Sequence, residues 1–381
     1  MKNVGVISMG IKTPIIKEGD NLAKIVTDAV LNTTRIENKT ASIPEQLDDG
    51  RVAWNTVDRI IYNLHQKDVI GITESVVARS VGNYVTVDEI ADELRKYSQD
   101  AIAVLNPIYS RNRFSMILKA IAKAAGKRVY LYMPEFDEVG NPSGVNQFTG
   151  VNMREYYKEL IEAEGKECNI YDETSWNANK FNYCLTIYCG LHDYEQWKAD
   201  YGDETHITLA DICKDKCEYG LLGSNKANDN TLKLFPDKYS AQHLVDTIQR
   251  MIFDETHIDV EVMVYGDGCF KDPVGGIWEF ADPVTSPAYT KGLEGRPNEI
   301  KIKAFADDKF AALSGDDLNE AIKNEIKGKA INLKGNMSSQ GTTPRRYVDL
   351  LASLMDLTSG SGDKGTPVVL VQNYFNNYSD E

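Results

Sequence analysis

The chain alternates short apolar runs with longer segments whose apolar residues recur at helical spacing. Near the N-terminus, "NVGVISM" predicts a strand. "GDNLAKIVTDAVLN" predicts a helix, because its apolar residues at positions 22, 25, 26 and 30 would share one face. A second helix is predicted over "VAWNTVDRIIYNLH". In "KDVIGITESVVARSVGNYV", residues 69–72 predict a buried strand that ends in the polar sequence Thr73, Glu74, Ser75.

Residues from about 86 to 218 have an alternation of their own. This segment contains the predicted strands "DAIAVLNP", "KRVYLYMP" and "FNYCLTIYC", the helix "RFSMILKAIAKAAG" and an acidic helix near residues 153–164. Alternating strands and helices are typical of α/β architecture. We therefore predict an α/β fold with mixed sheets, in which residues 1–85 and 219–381 form a core and residues 86–218 form an inserted α/β subdomain.

The C-terminal part returns to longer amphipathic elements. "EYGLLGSNKANDNTLKLFP" predicts a strand, a polar turn and another strand, and "SAQHLVDTIQRMIF" predicts a helix. "HIDVEVMVYGDG" predicts a strand that ends at Asp267, and "NEIKIKAF" predicts a further strand. "DDLNEAIKNEIKG" and "RRYVDLLASLMDL" predict helices. In "SGSGDKGTPVVLVQNY" a glycine-rich loop leads into an apolar strand.

Composition narrows the class of partner. The 381 residues carry a formal charge of −15, which argues against binding to nucleic acid or to anionic membrane, because both need a basic surface. The N-terminus does not resemble a signal peptide, and no apolar run is long enough to span a membrane. A cytoplasmic protein is expected.

The cysteines and histidines do not predict a metal or nucleophile site. The stretches "CGLH" and "CKDKC" lack the spacing of zinc ligand pairs, so the six cysteines are expected to be free, buried thiols. The chain has no GxSxG sequence, and none of its five histidines stands beside a candidate serine nucleophile.

The stretch "YGDGCFKDPVGGIWEFADP" draws attention to Asp267, which stands between Gly266 and Gly268 at the end of an apolar run. Small neighbours let a ligand approach closely, and a carboxylate is a suitable ligand for magnesium or manganese. The alternative is a turn aspartate that bonds its own backbone. The motif alone leaves both interpretations open.

Three further strand ends are polar. "TES" brings Glu74, with Arg79 beyond it, to a strand end, where they are candidates for a ligand site or for helix capping. "GSNKAN" contains Asn225 and Asn228, which are candidates for ligand contacts or ordinary turn residues. "TSGSGDKGTP" has the exposed N–H groups of a phosphate-binding loop, or of a surface turn. If the four ends converge, the cleft suits phosphoryl transfer or ligation driven by ATP or GTP.

These stretches, in this order, resemble the coenzyme F420-0:gamma-glutamyl ligase family. The resemblance includes "IKTPIIKEGDNLAKIV" near the start, "DVIGITESVVARSVGNYV", "GLLGSNKANDNTLKLFPDKYSAQHLVDTI" and "VMVYGDGCFKDPVG". It continues through "KGLEGRPNEIKIKAFADDKFAAL" to "LTSGSGDKGTPVVLV" and covers about half of the chain. Residues 86–215 and 314–345 look like enlargements. The resemblance implies a gamma-glutamyl-ligase-like core.

The family joins L-glutamate to a carboxylate acceptor through an amide bond, with GTP and divalent metal ions. The resemblance therefore implies an acid–amino-acid ligase that uses GTP or ATP and Mg²⁺ or Mn²⁺, acts through an acyl phosphate and forms a homodimer. It implies Asp267 and Arg79 as catalytic residues. It implies metal ligands at Asp267, Asn225 and Asp363. The implied nucleotide contacts are Lys12, Thr13, Pro14, Ile15, Glu74, Ser75, Arg79, Asn228, Gly360, Ser361, Gly362, Asp363 and Gly365.

The chain departs from the family pattern at several of these positions. Asn225 replaces a metal-binding aspartate, Ser361 replaces a loop glutamate and Arg79 replaces a lysine. These changes leave an alternative open: a nucleotide- or metabolite-binding protein of the same fold without ligase chemistry. The enlarged middle also allows an acceptor other than the family's own, and an amino acid other than glutamate.

Overall fold

A computed structural model describes most of the chain. The described residues are 5–34, 41–46, 52–57, 63–97, 100–109, 112–137, 140–147, 149–178, 184–266, 269–271, 278–280, 285–298, 300–329, 346–359 and 362–380.

The described elements are mixed α and β throughout. The strands are β1 (Ile7–Ile11), β2 (Ala41–Gln46), β3 (Val52–Val57), β4 (Val69–Thr73), β5 (Tyr84–Thr86), β6 (Ala101–Leu105), β7 (Arg128–Met133), β8 (Glu167–Asp172), β9 (Leu185–Tyr188), β10 (His206–Thr208), β11 (Asn225–Asn228), β12 (Thr231–Lys233), β13 (Glu261–Tyr265), β14 (Cys269–Lys271), β15 (Trp278–Phe280), β16 (Ala288–Tyr289) and β17 (Val368–Gln372). The helices are α1 (Leu22–Thr34), α2 (Glu74–Ser80), α3 (Val87–Arg95), α4 (Asn112–Ala124), α5 (Met153–Ala163), α6 (Tyr194–Tyr201), α7 (Lys238–Thr256), α8 (Ile302–Ala304), α9 (Gly315–Lys327) and α10 (Tyr347–Ser359).

The first sheet has the strand order β1-β17-β4-β13-β16. Its central strands are apolar on both faces because helices cover both sides. On one face, Ile70 and Ile72 pack with residues of α1 and α7, including Val26 and Val245. On the other face, Val69 and its neighbours pack against α10. This two-sided burial accounts for the continuous apolar runs, as opposed to strict alternation, in β4, β13 and β17.

The second sheet is parallel, with the order β10-β9-β6-β7-β8. Its described strands lie between residues 101 and 208, and the chain starts at the centre and winds outward in both directions. This is the arrangement of a doubly wound α/β sheet. A large apolar cluster, which includes Ile102, Leu131 and Ile117, joins the sheet to α3, α4 and α5. The predicted α/β class is confirmed.

A small sheet of order β11-β12-β5 connects the two larger ones. Strand β5 follows α2 of the first sheet and leads into α3 of the second. Strand β12 pairs with β5, with Leu232 opposite Val85. The chain therefore enters and leaves the region of the second sheet at neighbouring strands.

The helix predicted over residues 52–65 is wrong in its first half, where β3 pairs with β2 in an antiparallel hairpin. The apolar spacing fits a helix, but Val52, Trp54 and Thr56 are β-branched or aromatic residues that favour strands. Cross-strand pairing with β2, which was not predicted, decides the outcome.

Two other predictions need correction. The strand predicted over "NEIKIKAF" is wrong, because α8 begins at Ile302 and a π-helical turn, Phe305–Lys309, follows it. Ile302 is exposed, so this segment lacks the burial that would support a strand. In "GLLGSNKAN", residues 219–223 form turns, and the polar residues Asn225–Asn228 form β11. Pairing with β12 determines this assignment. Strands β8 and β10 were not predicted.

The expectation of six free, buried cysteines is met in part, because Cys168 is half-buried and the Cys269 side chain lies outside what the structure describes. Five cysteines in the described part of the chain are free thiols, and Cys184, Cys189, Cys213 and Cys217 are buried. Burial raises the pKa of the Cys217 thiol to about 11. In the described residues, no helix has both the length and the apolar character needed to cross a membrane.

Candidate functional site

A cleft with a volume of about 1000 Å³ lies at one edge of the first sheet. It is lined by residues 13–16, 73–76, 79, 225–227, 233, 265, 266, 356, 359, 362 and 365–367. All four polar strand ends contribute to this lining: the segment at Glu74, the hairpin at Asn225, Gly266 before Asp267, and the glycine loop at Gly362 and Gly365.

The topology of the first sheet explains the convergence. Strands β4 and β13 are parallel neighbours whose last residues, Thr73 and Tyr265, lie opposite each other. Strand β17 runs antiparallel to β4, with Val368 opposite Ile72, so the loop before β17 reaches the same edge. Strand β1 is antiparallel to β17 and ends there at Ile11. Two carboxyl ends of parallel strands, and the loops next to them, thus surround one space.

Glu74 and Asn225 are in direct contact in the cleft. Glu74 begins α2 and is only 4% exposed. The Asn225 side-chain amide donates a hydrogen bond of 2.9 Å to Glu74 Oε1. A neutral amide satisfies part of the buried carboxylate, which would be costly to bury without hydrogen bonds. Asn225 therefore orients Glu74 and joins the β11–β12 hairpin to the end of β4.

Lys233 is a cleft residue that the sequence analysis missed. It lies opposite Asn225 in the β11–β12 ladder, and its Nζ donates a hydrogen bond to Ser75 Oγ. Desolvation lowers the pKa of Lys233, the Glu74 charge raises it and the Arg79 charge lowers it further. The sequence did contain an indication: Lys233 stands between Leu232 and Leu234, so strand alternation places it on the opposite face from two buried leucines.

Two residues from the apolar elements also line the cleft. Tyr265, the last residue of β13, is 2% exposed, and burial raises the pKa of its hydroxyl. Asp356 reaches the cleft from α10. Neither was predicted. Tyr265 was counted as part of an apolar run, and Asp356 as the polar side of an amphipathic helix.

Some of the other predicted site residues line the cleft and others do not. Thr13, Pro14, Ile15, Ser75 and Arg79 line the cleft, as do Gly362 and Gly365. Lys12, Asn228 and Asp363 are not among the lining residues. The Asn228 side-chain oxygen accepts a hydrogen bond of 2.9 Å from the backbone N–H of Asn230, as expected for a turn asparagine. Asp267, Gly268, Gly360 and Ser361 lie outside the described residues.

The described residues do not by themselves assemble a metal site. No group of three or more His, Cys, Asp or Glu side chains that could hold a metal occurs in the described part of the chain. Of the predicted ligands, Asn225 donates to Glu74 through Nδ2, and Asp363 is not among the lining residues although it follows the lining residue Gly362. The remaining predicted ligand, Asp267, follows the lining residue Gly266 and lies outside the described residues.

The glycine loop has a backbone conformation suited to close ligand approach. Gly365 adopts φ +67°, which favours glycine, and a Cβ placed there would meet open space. The Thr366 hydroxyl donates a hydrogen bond of 3.0 Å to the Ser359 carbonyl, which ties the far side of the loop to the end of α10. The loop thus presents backbone to the cleft and is anchored at its end.

A family model described as F420-0:Gamma-glutamyl ligase matches residues 10–373, which is nearly the whole chain. No curated protein sequence matches the chain at a significant level.

Proposed function

Because this chain belongs to the F420-0:gamma-glutamyl ligase family, we propose that it is a nucleotide- and divalent-metal-dependent amide ligase. It would form a gamma-glutamyl-type amide bond through an acyl phosphate. The observation that carries this proposal is the convergence of four polar strand ends on one cleft of about 1000 Å³. A cleft of this size accommodates a nucleoside triphosphate together with part of a second substrate.

The proposed reaction has two steps. A carboxylate oxygen of the acceptor attacks the γ-phosphorus, so a new P–O bond forms, the bond to the β-phosphate oxygen breaks and the nucleoside diphosphate leaves. The amine of L-glutamate or another amino acid then attacks the acyl carbon. The amide bond forms, inorganic phosphate leaves and the amine loses a proton.

The described residues fit the binding part of this reaction. Arg79 is a permanent cation on the cleft wall and can donate two hydrogen bonds to one phosphate group. Backbone N–H groups near Gly362 and Gly365 can bind phosphate oxygens without bringing in a competing charge. Ser75, at the start of α2, offers a hydroxyl on the same wall.

The metal requirement is the part of the proposal that depends on Asp267. Magnesium or manganese would neutralise charge on the transferred phosphoryl group. We propose Asp267 as the principal metal ligand, because a carboxylate is a stronger ligand for these ions than the amide oxygen of Asn225.

The binding experiment uses isothermal titration of GTP, ATP and GDP into the protein, with and without Mg²⁺ or Mn²⁺. We expect metal-dependent binding of a triphosphate that falls about 10- to 100-fold in Asp267→Asn, because an amide is a much weaker ligand than a carboxylate. Unchanged affinity in this variant would remove the proposed role of Asp267. No binding of any nucleotide would overturn the proposed function.

The turnover experiment separates the ligase from a binding protein of the same fold. The second function is favoured by the departures from the family pattern at Asn225 and Ser361. Acceptor carboxylates are screened with glutamate, and release of nucleoside diphosphate and phosphate is measured. Amide formation supports the ligase, whereas tight nucleotide binding with no turnover across the panel supports the binding protein.

Three further features belong to this proposal. We propose a homodimer, which light scattering of the purified protein would test. We propose a cytoplasmic location, which fractionation of cells would test. We also propose that residues 86–218 form a separate subdomain, inserted into a core of residues 1–85 and 219–381, which limited proteolysis at its two connections would test.

A further inference from the structure

The β11–β12 hairpin carries two polar side chains to the same part of the cleft. Asn225 and Lys233 lie opposite each other in the antiparallel ladder, so their side chains are neighbours on one face. They contact successive residues of α2, since Asn225 donates to Glu74 and Lys233 donates to Ser75. The hairpin thus provides the cleft with one amide and one ammonium group in a fixed relation.

Lys233 differs from the other lysine of the hairpin. The ammonium group of Lys226 lies 2.7 Å from the carboxylate of exposed Asp229. Lys233 donates to the neutral hydroxyl of Ser75. Burial lowers the pKa of Lys233 and the charge of nearby Glu74 raises it. An ammonium group has three N–H donors, so Lys233 retains donors for a ligand. Its stem is half-buried between the hairpin and α2, which holds the ammonium group in place.

The described lining carries charged side chains of both signs. Three of these residues are cationic and two are acidic: Arg79, Lys226 and Lys233 against Glu74 and Asp356. Lys226 is paired with Asp229. Burial lowers the pKa of Lys233, the Glu74 charge raises it and the Arg79 charge lowers it, so Glu74 and Arg79 both lie near the ammonium group. Two like charges at one wall of a cleft are stabilised when a polyanion binds both.

We propose that Lys233, together with Arg79, binds the polyphosphate group of the substrate directly, and that Asn225 makes this possible because it is neutral. This inference rests on the proposed function and names the residue that would hold the nucleotide's charged end. An acidic residue at position 225 would lie opposite Lys233 and pair with it. The neutral amide leaves the ammonium group to the ligand.

The test uses inorganic tripolyphosphate, which has no nucleobase, in a buffer with EDTA, which removes divalent metal ions. Titration calorimetry at low ionic strength measures its affinity for the intact chain and for variants. Lys233→Met should weaken binding by about tenfold or more, because a charge-assisted contact is lost, whereas Lys233→Arg should stay within about threefold. Lys238→Met removes an exposed lysine outside the described cleft lining. It makes the same change in charge, so it is the matched control and should also stay within about threefold.

A second variant tests the inference without altering Lys233. Asn225→Asp should weaken tripolyphosphate binding in EDTA by about fivefold or more, because the new carboxylate would pair with Lys233. If position 225 acts only through a metal, this variant should bind tripolyphosphate in EDTA as the wild type does. Circular dichroism and thermal unfolding establish that each variant is folded before its affinity is interpreted.

The outcomes separate this inference from the proposed function. Equal binding by the wild type and Lys233→Met overturns the inference, and the function stands if the wild type binds GTP or ATP with metal. If the wild type binds metal-nucleotide but not tripolyphosphate, the inference is likewise overturned and the function stands. Lys233-dependent tripolyphosphate binding without nucleotide binding leaves the inference standing and overturns the function. Binding of neither probe overturns both.

Discussion

At the scale of single residues, buried carboxylates in this protein accept hydrogen bonds from nearby N–H groups. The Asn225 amide bonds the Glu74 carboxylate in the cleft. In the second sheet, the backbone N–H groups of Tyr109 and Asn141 donate to the carboxylate of buried Asp137, at 2.9 and 2.7 Å. Such contacts contribute to stability mainly because an unsatisfied buried polar group is costly. They also fix side-chain orientation, and this matters most at the cleft.

Glu89 allows a pH-dependence prediction at this scale. It forms a capping box with Thr86 at the start of α3, and Lys216 Nζ lies 2.9 Å from its other oxygen. The backbone hydrogen bond from Thr86, the bond from Lys216 and the Thr86 hydroxyl lower the pKa of Glu89 from 4.5 to about 2. Since the pKa is lower in the folded state, the charged carboxylate stabilises the fold above pH 4.5. That contribution is lost as the pH falls toward 2.

We therefore expect Glu89→Gln to reduce the free energy of unfolding by about 1 kcal/mol at pH 7, a small value because the side chain is largely exposed. The difference from wild type should shrink between pH 4.5 and about 2. Urea unfolding across this range measures it. Lys216→Met, which removes one partner but leaves the cap, should have a smaller effect. A difference in unfolding free energy between wild type and Glu89→Gln that stays constant with pH would contradict the prediction.

At the scale of elements, the turn before β11 decides whether the hairpin can reach the cleft. Gly223 has φ +44°, and a Cβ there would lie 1.3 Å from the Phe235 ring. Phe235 is buried and follows β12, so the aromatic side chain occupies the space beside the glycine. The turn therefore packs against the residue that ends the hairpin, and Asn225 and Lys233 are held between these points.

Gly223→Ala should be destabilising by about 2–4 kcal/mol, because overpacking adds to an unfavourable backbone conformation. The matched control is Gly19→Ala, since Gly19 has φ +83° but open space around its Cβ position. For Gly19→Ala, the free energy of unfolding should fall by only about 1 kcal/mol. Thermal and urea unfolding measure both. Equal losses would mean that the Phe235 contact contributes nothing and that backbone conformation alone matters.

At the scale of the whole molecule, a buried arginine joins the second sheet to the cleft. Arg113, in the first turn of α4, is 2% exposed, and its Nη1 donates a hydrogen bond of 2.5 Å to the Ser224 carbonyl. Ser224 immediately precedes Asn225. Helix α4 also contacts both β11 and β12. The α4 helix of the doubly wound sheet thus contacts the hairpin next to Asn225.

We expect Arg113→Met to weaken nucleotide affinity by about three- to tenfold through displacement of the hairpin, in addition to a loss of stability. Asp137→Asn is the control, because Asp137 is another buried charge of the same region and accepts hydrogen bonds from the backbone of Tyr109 and Asn141. Calorimetric titration and thermal unfolding of both variants compare the two effects. If the two variants lose affinity equally at equal loss of stability, Arg113 has no particular role in positioning the hairpin.

The sequence by itself determined the class of the fold, most of the buried strands, the helices with clear apolar spacing and the family. These features depend on local patterns, such as apolar runs in β4, β13 and β17 and polar residues at their ends, which do not change with tertiary context. Tertiary structure decided the places where strand pairing outweighs local sequence preference, as in the β2–β3 hairpin and in the polar strand β11.

Tertiary structure also decided which residues lie next to one another at the cleft. Lys233, Tyr265, Asp356 and Arg113 come to the cleft or its support from four different elements. Their distances follow from strand order and helix packing, which depend on contacts between residues far apart in the chain.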